Sequence, residues 1–310
     1  MRKYVVTGGA GFIGSHLVSA LLRRGAEVSV LDNFSTGKRR NLEPPVIEPD
    51  SGRLRVLEGD IREPLLLKEA VRGADVVFHE AAFISVPESM EDPEACFAVN
   101  IMGTCALLEA CRAAGVGRVV LASSAAVYGD SDALPLSELE AARPLSPYAA
   151  SKLATETFAT LYTRSLGLEV SVLRYFNVYG PRQRPDTQYA AAVPIFIDRL
   201  RSKSAPTVFG DGTQTRDLIF VGDVVRANLL ASEHPAAAGA IFNVCTGAAT
   251  SILDLLGAMY SFLPGAPKPI FEAKRPGDIW ASVGDPSKAQ SVLGFRAESS
   301  LAEGLKEMLQ

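Results

Sequence analysis

The chain has 310 residues, 31 Lys+Arg against 35 Asp+Glu, and 47% hydrophobic content. That composition excludes intrinsic disorder and describes a mildly acidic chain with apolar material for a large domain plus an appended lobe. A formal net charge of −4 without a long Lys/Arg run gives no field for collecting nucleic acid, so no nucleic-acid partner is expected.

The first half alternates short β-branched runs with longer helical patterns, the rhythm of a parallel sheet covered by helices on both faces. Tyr4-Val5-Val6 is the first predicted strand. It runs into Thr7-Gly8-Gly9-Ala10-Gly11-Phe12-Ile13-Gly14, and a helix follows with Phe12, Ile13, Leu17, Ala20 and Leu21 at helical spacing and Gly25 as its stop. Glycines at such a turn let the backbone approach a pyrophosphate, and the helix N-terminus offers unpaired N–H groups, although a tight turn alone also uses glycine. Val28 to Leu31 completes a βαβ unit that ends at Asp32, 18 residues after Gly14. A carboxylate there suits both hydroxyls of an adenosine ribose and favours NAD over NADP, with Lys38-Arg39-Arg40 as the feature that would admit a 2′-phosphate. Glu43 to Asp50 reads as a surface loop. Leu54 to Leu57 precedes Gly59-Asp60-Ile61, which fits either an adenine contact or an ordinary strand-end turn.

Val76 to His79, Val119 to Ala122 and Val170 to Leu173 continue the sheet as nearly continuous apolar runs, as strands buried on both faces should. Ser123-Ser124-Ala125-Ala126-Val127-Tyr128-Gly129 follows the fifth strand, where ligands of open α/β sheets bind and a serine hydroxyl can meet a reacting oxygen. Ser146-Pro147 reads as a helix start, which puts Tyr148 and Lys152 four apart on one face. An ammonium beside a phenol lowers its pKa and makes Tyr148 a candidate general base, although Tyr and Lys at this spacing also occur on ordinary helices.

After Arg174 the prolines Pro181, Pro185, Pro194 and Pro206 interrupt the rhythm and a second lobe begins. Leu218 to Val221 and Ala240 to Val244 read as strands revisiting the first unit. The expected division is therefore 1–174 with a return at about 215–246, and a smaller lobe of 175–214 and 247–310. The longest uncharged stretch, Pro235 to Leu253, is broken by Pro235, Gly239, Asn243 and Gly247, so no membrane span is expected. The apolar run after Met1-Arg2-Lys3 stops at Gly8-Gly9, and a cytoplasmic location is expected. Cys96, Cys105, Cys111 and Cys245 lack C-x-x-C spacing and read as buried free thiols; His16, His79 and His234 are scattered, so no metal site is expected.

Taken together, the glycine-rich start, Asp32-Asn33, His79-Glu80-Ala81-Ala82, Asn100, the serine motif, Tyr148/Lys152 and Arg174-Tyr175-Phe176-Asn177-Val178-Tyr179-Gly180-Pro181 resemble the extended short-chain dehydrogenase/reductase family, in its nucleotide-sugar epimerase and dehydratase branch. Val208-Phe209-Gly210-Asp211-Gly212, Arg216-Asp217 and Arg275-Pro276-Gly277-Asp278 extend the resemblance through the second lobe. It implies a Rossmann-like doubly wound parallel sheet with a smaller mixed α/β substrate lobe, a homodimer through helices near Glu94 to Ala114 and Tyr148 to Leu166, and bound NAD. Glu80 departs from the family, which more often has an apolar or amide residue there. The residues implied at the cofactor are Gly8, Gly11, Phe12, Ile13, Gly14, Asp32, Asn33, Ser35, Thr36, Gly37, Asp60, Ile61, Ala81, Ala82, Asn100, Tyr148, Lys152 and Tyr175.

Within that branch, 4,6-dehydratases carry acidic residues just after the catalytic hydroxyl, because eliminating water needs an added acid and base. Here those positions are Ala125 and Ala126, so reversible oxidation at carbon 4, that is 4-epimerisation of a UDP-sugar, is the expected reaction. The resemblance implies Tyr148, Ser124 and Lys152 as the catalytic set, and Ser85, Asn177, Ala192, Val193, Phe209, Arg216, Arg275, Asp278 and Ser282 on the substrate side. Ser282, where glucose-restricted relatives have tyrosine, together with Ser85-Val86-Pro87 and Tyr189-Ala190-Ala191, resembles epimerases that accept N-acetylated sugars. UDP-N-acetylglucosamine and UDP-glucose are the expected substrates. Arg182 and Arg184 keep UDP-glucuronate open, because either could face a sugar carboxylate, a phosphate or solvent; a 4-keto reductase with exchangeable NADPH is a further alternative.

Overall fold

A computed structural model describes residues 2–44, 46–47, 52–185, 191–274 and 279–309. Arg275 and Asp278, with Pro276 and Gly277 between them, Tyr189-Ala190, and part of the Glu43 to Asp50 loop lie outside the described residues. The chain opens with β1 (Lys3–Thr7), α1 (Phe12–Arg23), β2 (Glu27–Asp32), β3 (Leu54–Glu58), α2 (Pro64–Ala70) and β4 (Val76–His79). α3 (Val86–Glu91) and α4 (Pro93–Phe97) lead through a π-helical turn, Ala98–Gly103, into α5 (Thr104–Ala114); β5 (Arg118–Ser124), α6 (Pro147–Ser165) and β6 (Glu169–Tyr175) follow. All six strands read from the sequence are present, β4 with the expected bounds and the others extended at their ends. The second half comprises β7 (Asn177–Tyr179), α7 (Ala192–Arg201), β8 (Thr207–Phe209), β9 (Thr215–Arg216), β10 (Leu218–Phe220), α8 (Val221–Glu233) and β11 (Ile241–Val244). It closes with β12 (Thr250–Ser251), α9 (Ile252–Phe262), β13 (Ile270–Glu272), β14 (Ala281–Ser282), α10 (Ser287–Leu293) and α11 (Leu301–Leu309).

Seven strands form one parallel sheet in the order β11-β6-β5-β4-β1-β2-β3. Alternate residues point to opposite faces, so a single strand feeds two cores. Val6, Val30, Phe78 and Val120 pack under α1 and α8 with Leu17 and Leu21. Val5, Leu31, Val77, Val119 and Leu121 pack on the other face with Leu67, Leu107 and Leu108. The strand order reverses between β1 and β4, and at such a switch point the crossovers leave on opposite faces and open a crevice at the carboxyl ends.

The return segment corrects the sequence reading in one respect. β11 joins the main sheet beside β6, but Leu218–Phe220 pairs with β7 in a separate two-stranded sheet. A third core of Phe196, Leu200, Val208, Leu255, Met259 and Leu305 sits in the second half. There β12, β9 and β14 form a small sheet that joins three distant segments of chain.

The stretch Pro93–Ala114 is a continuous 22-residue helical run apolar and long enough to cross a bilayer, which a search for uncharged stretches passes over. In the fold it lies against the sheet, with Leu107, Leu108 and Cys111 fully buried. Cys96, Cys111 and Cys245 are buried and Cys105 is half-buried, all as free thiols.

Candidate active site

The glycine turn and the end of β4 meet at the switch point. Gly8 has φ +69°, and a Cβ there would lie 2.6 Å from the Ala81 nitrogen; a Cβ on Gly14 would lie 2.2 Å from the Gly8 oxygen. Side chains are therefore excluded where loop, helix and strand converge. α1 starts after Gly11 with no side-chain cap and no acidic residue in its first turn, so its leading N–H groups, at Phe12 and Ile13, stay receptive to an anion. Asp32 is buried, and each of its oxygens accepts one backbone N–H, from Ala10 at 2.8 Å and Phe34 at 2.8 Å. Each oxygen keeps acceptor capacity for a further hydroxyl. Burial raises the Asp32 pKa, while these two hydrogen bonds pull it down.

Around Asp32 the loop of Asn33, Ser35, Thr36 and Gly37 folds back on Ala10, whose carbonyl accepts from the Lys38 N–H at 3.0 Å and from Asn41 Nδ2 at 2.9 Å. Asn33 Nδ2 donates to Asp60 at 2.9 Å, and the Arg62 guanidinium pairs with the same carboxylate and holds its pKa down at about 2. Ile61 is buried against Gly103 of the π-helical turn. This uncapped helix end, the glycine cradle and the ribose-facing carboxylate fit a dinucleotide with free ribose hydroxyls. Of Lys38-Arg39-Arg40, Arg39 stacks on Phe34 and pairs with Glu58.

Ser146 caps α6, its Oγ accepting from the Ala149 N–H at 3.2 Å, and Pro147 holds the first turn. Tyr148 and Lys152 then face the end of β5. Lys152 is buried, donates from Nζ to the Ala122 carbonyl at 2.9 Å, and lies 5.9 Å from the centroid of the Tyr148 ring. Of the adjacent serines, Ser123 donates to Glu156 at 2.5 Å within a buried network, whereas the Ser124 hydroxyl accepts from the Ala126 N–H at 3.1 Å and acts on the Tyr148 hydroxyl. Burial raises the Tyr148 pKa and the Ser124 bond lowers it. Burial pushes Lys152 down to about 8. Asn100 has its amide committed to the Phe83 backbone at 2.7 and 3.0 Å and to Ser151 Oγ at 2.9 Å. In the chain as it stands it braces the loop containing Ala81 and Ala82. Tyr175, at the end of β6, bonds Glu80 and Asn228.

A cavity of about 680 Å³ opens beside Tyr148. Of the residues expected on the substrate side, Asn177, Ala192, Val193, Phe209 and Arg216 line it. Ser85 instead caps α3, accepting from the Glu88 N–H at 3.2 Å, and Ser124 and Ser282 are not on the cavity wall. Ser282 is held in register beside Arg216 in the small sheet. Sequence reasoning missed Gln183, Gln214 and Arg199, which also line the cavity. Gln183 and Gln214 each have a buried side-chain oxygen with no partner, a signal visible only in three dimensions. Arg182 donates to Ser19 Oγ, in the second half of α1, at 3.3 Å, and Arg184 donates to the Thr36 carbonyl at 3.3 Å. Among the described residues, no acidic side chain lines the cavity.

Residues 4–245 match the profile of the NAD dependent epimerase/dehydratase family. The chain is 40% identical over 310 residues to the UDP-glucose 4-epimerase of Mycolicibacterium smegmatis, covering 99% of this chain and 97% of that protein. It superposes on the UDP-glucose 4-epimerase of Thermus thermophilus in complex with NAD with a TM-score of 0.89 and 39% identity, covering 99% and 98% of the two chains. The UDP-N-acetylglucosamine 4-epimerase of Methanobrevibacter ruminantium, in complex with UDP-N-acetylmuramic acid, gives a TM-score of 0.92 and 36% identity, with 99% and 97% covered. By sequence and by fold, the chain belongs to the NAD-dependent epimerase/dehydratase family.

Proposed function

We propose that the enzyme is an NAD-dependent isomerase that inverts carbon 4 of a UDP-hexose, accepting both UDP-glucose and UDP-N-acetylglucosamine with their 4-epimers. The observation that carries this reading is Tyr148, with Ser124 and Lys152 behind it, at the wall of a cavity with no acidic lining among the described residues. Elimination or decarboxylation needs further proton-moving groups at the sugar, and Ala125 and Ala126 supply none.

In this reading, residues 1–174 with the return at 215–246 hold NAD, through the α1 N-terminus, Asp32 and the loops at Asn33 to Gly37 and Asp60-Ile61. The lobe of 175–214 and 247–310 holds the UDP-sugar. Tyr148 as phenolate takes the proton of the 4-hydroxyl, with Ser124 hydrogen-bonding the reacting oxygen and the Lys152 ammonium stabilising the phenolate. NAD held there would supply the hydride acceptor for carbon 4, and the same hydride for the other face of the ketone once the sugar has turned in the cavity. Tyr148 then gives the proton back to the oxygen, so neither acid nor cofactor is consumed. Phe209 and Arg216 are placed for the uridine diphosphate, Arg216 as a donor to phosphate oxygens, with Arg275 and Asp278 as further candidates.

Arg182 and Arg184, which the sequence left open toward a sugar carboxylate, a phosphate or solvent, bond Ser19 and Thr36, whereas Arg199 and Arg216 line the cavity and keep UDP-glucuronate as the second reading. We also read the outer faces of α4 to α6, where Phe97, Met102 and Leu161 are exposed, as a homodimer contact. The test of the activity is incubation of the purified enzyme, without added NAD, with UDP-glucose, UDP-N-acetylglucosamine and UDP-glucuronate separately, followed by product identification. Conversion of the first two to their 4-epimers is expected; conversion of UDP-glucuronate alone would overturn the substrate assignment.

A further inference from the structure

We propose that Glu80 is a positioning residue of this site, a carboxylate anchored by Tyr175 that sets the charge balance acting on Tyr148 and Lys152. The inference rests on the epimerase reading above for the role of Tyr148, but its evidence is the hydrogen-bond inventory around Glu80.

Asn228 is fully buried on α8 and donates from Nδ2 both to the Val224 carbonyl at 2.9 Å and to the Tyr175 hydroxyl at 2.7 Å. A carbonyl can only accept, so that end of the amide is its nitrogen, and the Tyr175 oxygen must accept from it. Tyr175 has one hydrogen of its own, and it points to Glu80 Oε1 at 2.7 Å. The relay Asn228 to Tyr175 to Glu80 therefore runs in one direction and ends on an acceptor. Such a terminus is matched to a carboxylate and strengthens with its charge. An apolar side chain at position 80 would leave the buried Tyr175 hydroxyl without an acceptor.

Glu80 directly follows His79, the partner of Leu121 across β4 and β5, and so lies beside Ala122, whose carbonyl holds the Lys152 ammonium at 2.9 Å; Lys152 and Tyr175 act on the carboxylate, and it acts in turn on Tyr148. Cys96 on α4 and Glu156 on α6 also act on Lys152, Cys96 raises the Tyr148 pKa as Glu80 does, and the Lys152 charge bears on His79 of β4. His79 is held neutral near pH 7, since burial pushes its pKa to about 3. Burial pushes Glu80 up to about 7, against the Tyr175 hydrogen bond and the Lys152 charge, which pull it down. Burial pushes Lys152 down to about 8, and Glu80 is the strongest influence opposing that fall. Glu80 also raises the Tyr148 pKa. The ionised form of Glu80 thus favours the Lys152 ammonium and disfavours the Tyr148 phenolate, so its charge sets the balance between the two. The three groups titrate as a coupled set.

Glu80→Gln removes the charge while its amide oxygen still accepts from Tyr175. The expected result in the NAD-loaded enzyme is that both limbs of the pH profile of kcat on UDP-glucose move to lower pH, by at least about half a unit. The acid limb moves because Tyr148 ionises earlier, and the basic limb because Lys152 loses its proton earlier. A purely structural role for Glu80 would leave the Gln profile superposed on the parent, and that result overturns the proposal. Ultraviolet difference titration of tyrosinate in the same holoenzyme, with Tyr148→Phe as the subtracted reference, reads Tyr148 without any turnover. It therefore separates failure of this inference from failure of the epimerase reading: an unmoved Tyr148 transition refutes the role of Glu80 even in an active enzyme. If Glu80→Gln does not fold, Tyr175→Phe, which withdraws the hydrogen bond that favours the carboxylate, is expected to move the Tyr148 transition in the same direction, and no movement is refuting.

Discussion

Lys152 reaches past Tyr148 to donate to the Ala122 carbonyl at 2.9 Å, which holds its ammonium 5.9 Å from the centre of the Tyr148 ring. The lysine is thereby held by the sheet with its buried ammonium over the tyrosine ring. Low local dielectric makes such a charge more effective on a neighbouring acid than it would be in water.

Tyr148→Phe removes the proton-transferring hydroxyl and keeps the ring. Turnover is expected to fall by at least ~10²-fold, with bound NAD and the unfolding midpoint retained. Steady-state rates on UDP-glucose, with cofactor content measured after denaturation, check this; near-normal turnover would refute the assignment of Tyr148.

If Asp32 accepts from the ribose hydroxyls, as proposed, Asp32→Ala is expected to weaken NAD binding far more than UDP binding. Calorimetric titration of the two ligands into the same preparation decides it. Equal losses for both would mean that the carboxylate serves the fold by holding Ala10 and Phe34.

The sugar pocket is tested by Ser282→Tyr. Ser282 pairs in register with Arg216, a residue of the cavity wall, so a phenol ring there is expected to reach the cavity and narrow it. Turnover of UDP-N-acetylglucosamine should fall selectively, by about 10-fold or more, while UDP-glucose is retained. A parallel loss on both sugars, or none, would sink the role of Ser282 in selectivity.

Asp60 gives a prediction about pH. Its pKa is about 2 in the fold, lowered first by the Arg62 hydrogen bond, against an ordinary 3.8. A depressed carboxyl contributes stability above the unfolded value and loses it as pH falls from 3.8 toward 2. Solvent reaches this pair and screens it, so Asp60→Asn is expected to cost on the order of 1 kcal/mol at pH 7, a gap that shrinks to about half near pH 3. Urea midpoints of both proteins at pH 7, 4 and 3 provide the check; a gap constant across that range contradicts the assignment.

Glu156 and Arg174 form an ion pair with both side chains almost fully buried. Glu156→Gln leaves the guanidinium without a counter-charge in the core, and a loss of about 3 kcal/mol or more is expected in urea unfolding. A loss below about 1 kcal/mol would show that water reaches the pair.

Local pattern and turn chemistry determined much of this protein. The six strands from Tyr4 to Leu173, the stop at Gly25, the Ser146-Pro147 helix start and the convergence of Tyr148 with Lys152 depend on neighbours within a few residues. Those constraints act on the chain before it folds, so they are written in it directly. Tertiary structure decided what depends on segments far apart. Whether Leu218–Phe220 enters the main sheet depends on β7, and the direction of Arg182 and Arg184 depends on Ser19 and Thr36. Ser123 and Ser124 are indistinguishable in the sequence until Glu156 takes one and Tyr148 the other. Asn100 looks like a ligand-binding amide, yet Phe83 and Ser151 occupy it. Gln183 and Gln214 carry no sequence signal of function, and Glu80 shows in the sequence only as a departure from the family pattern, because a side chain's unmet hydrogen bond or perturbed charge is created by what the fold packs around it.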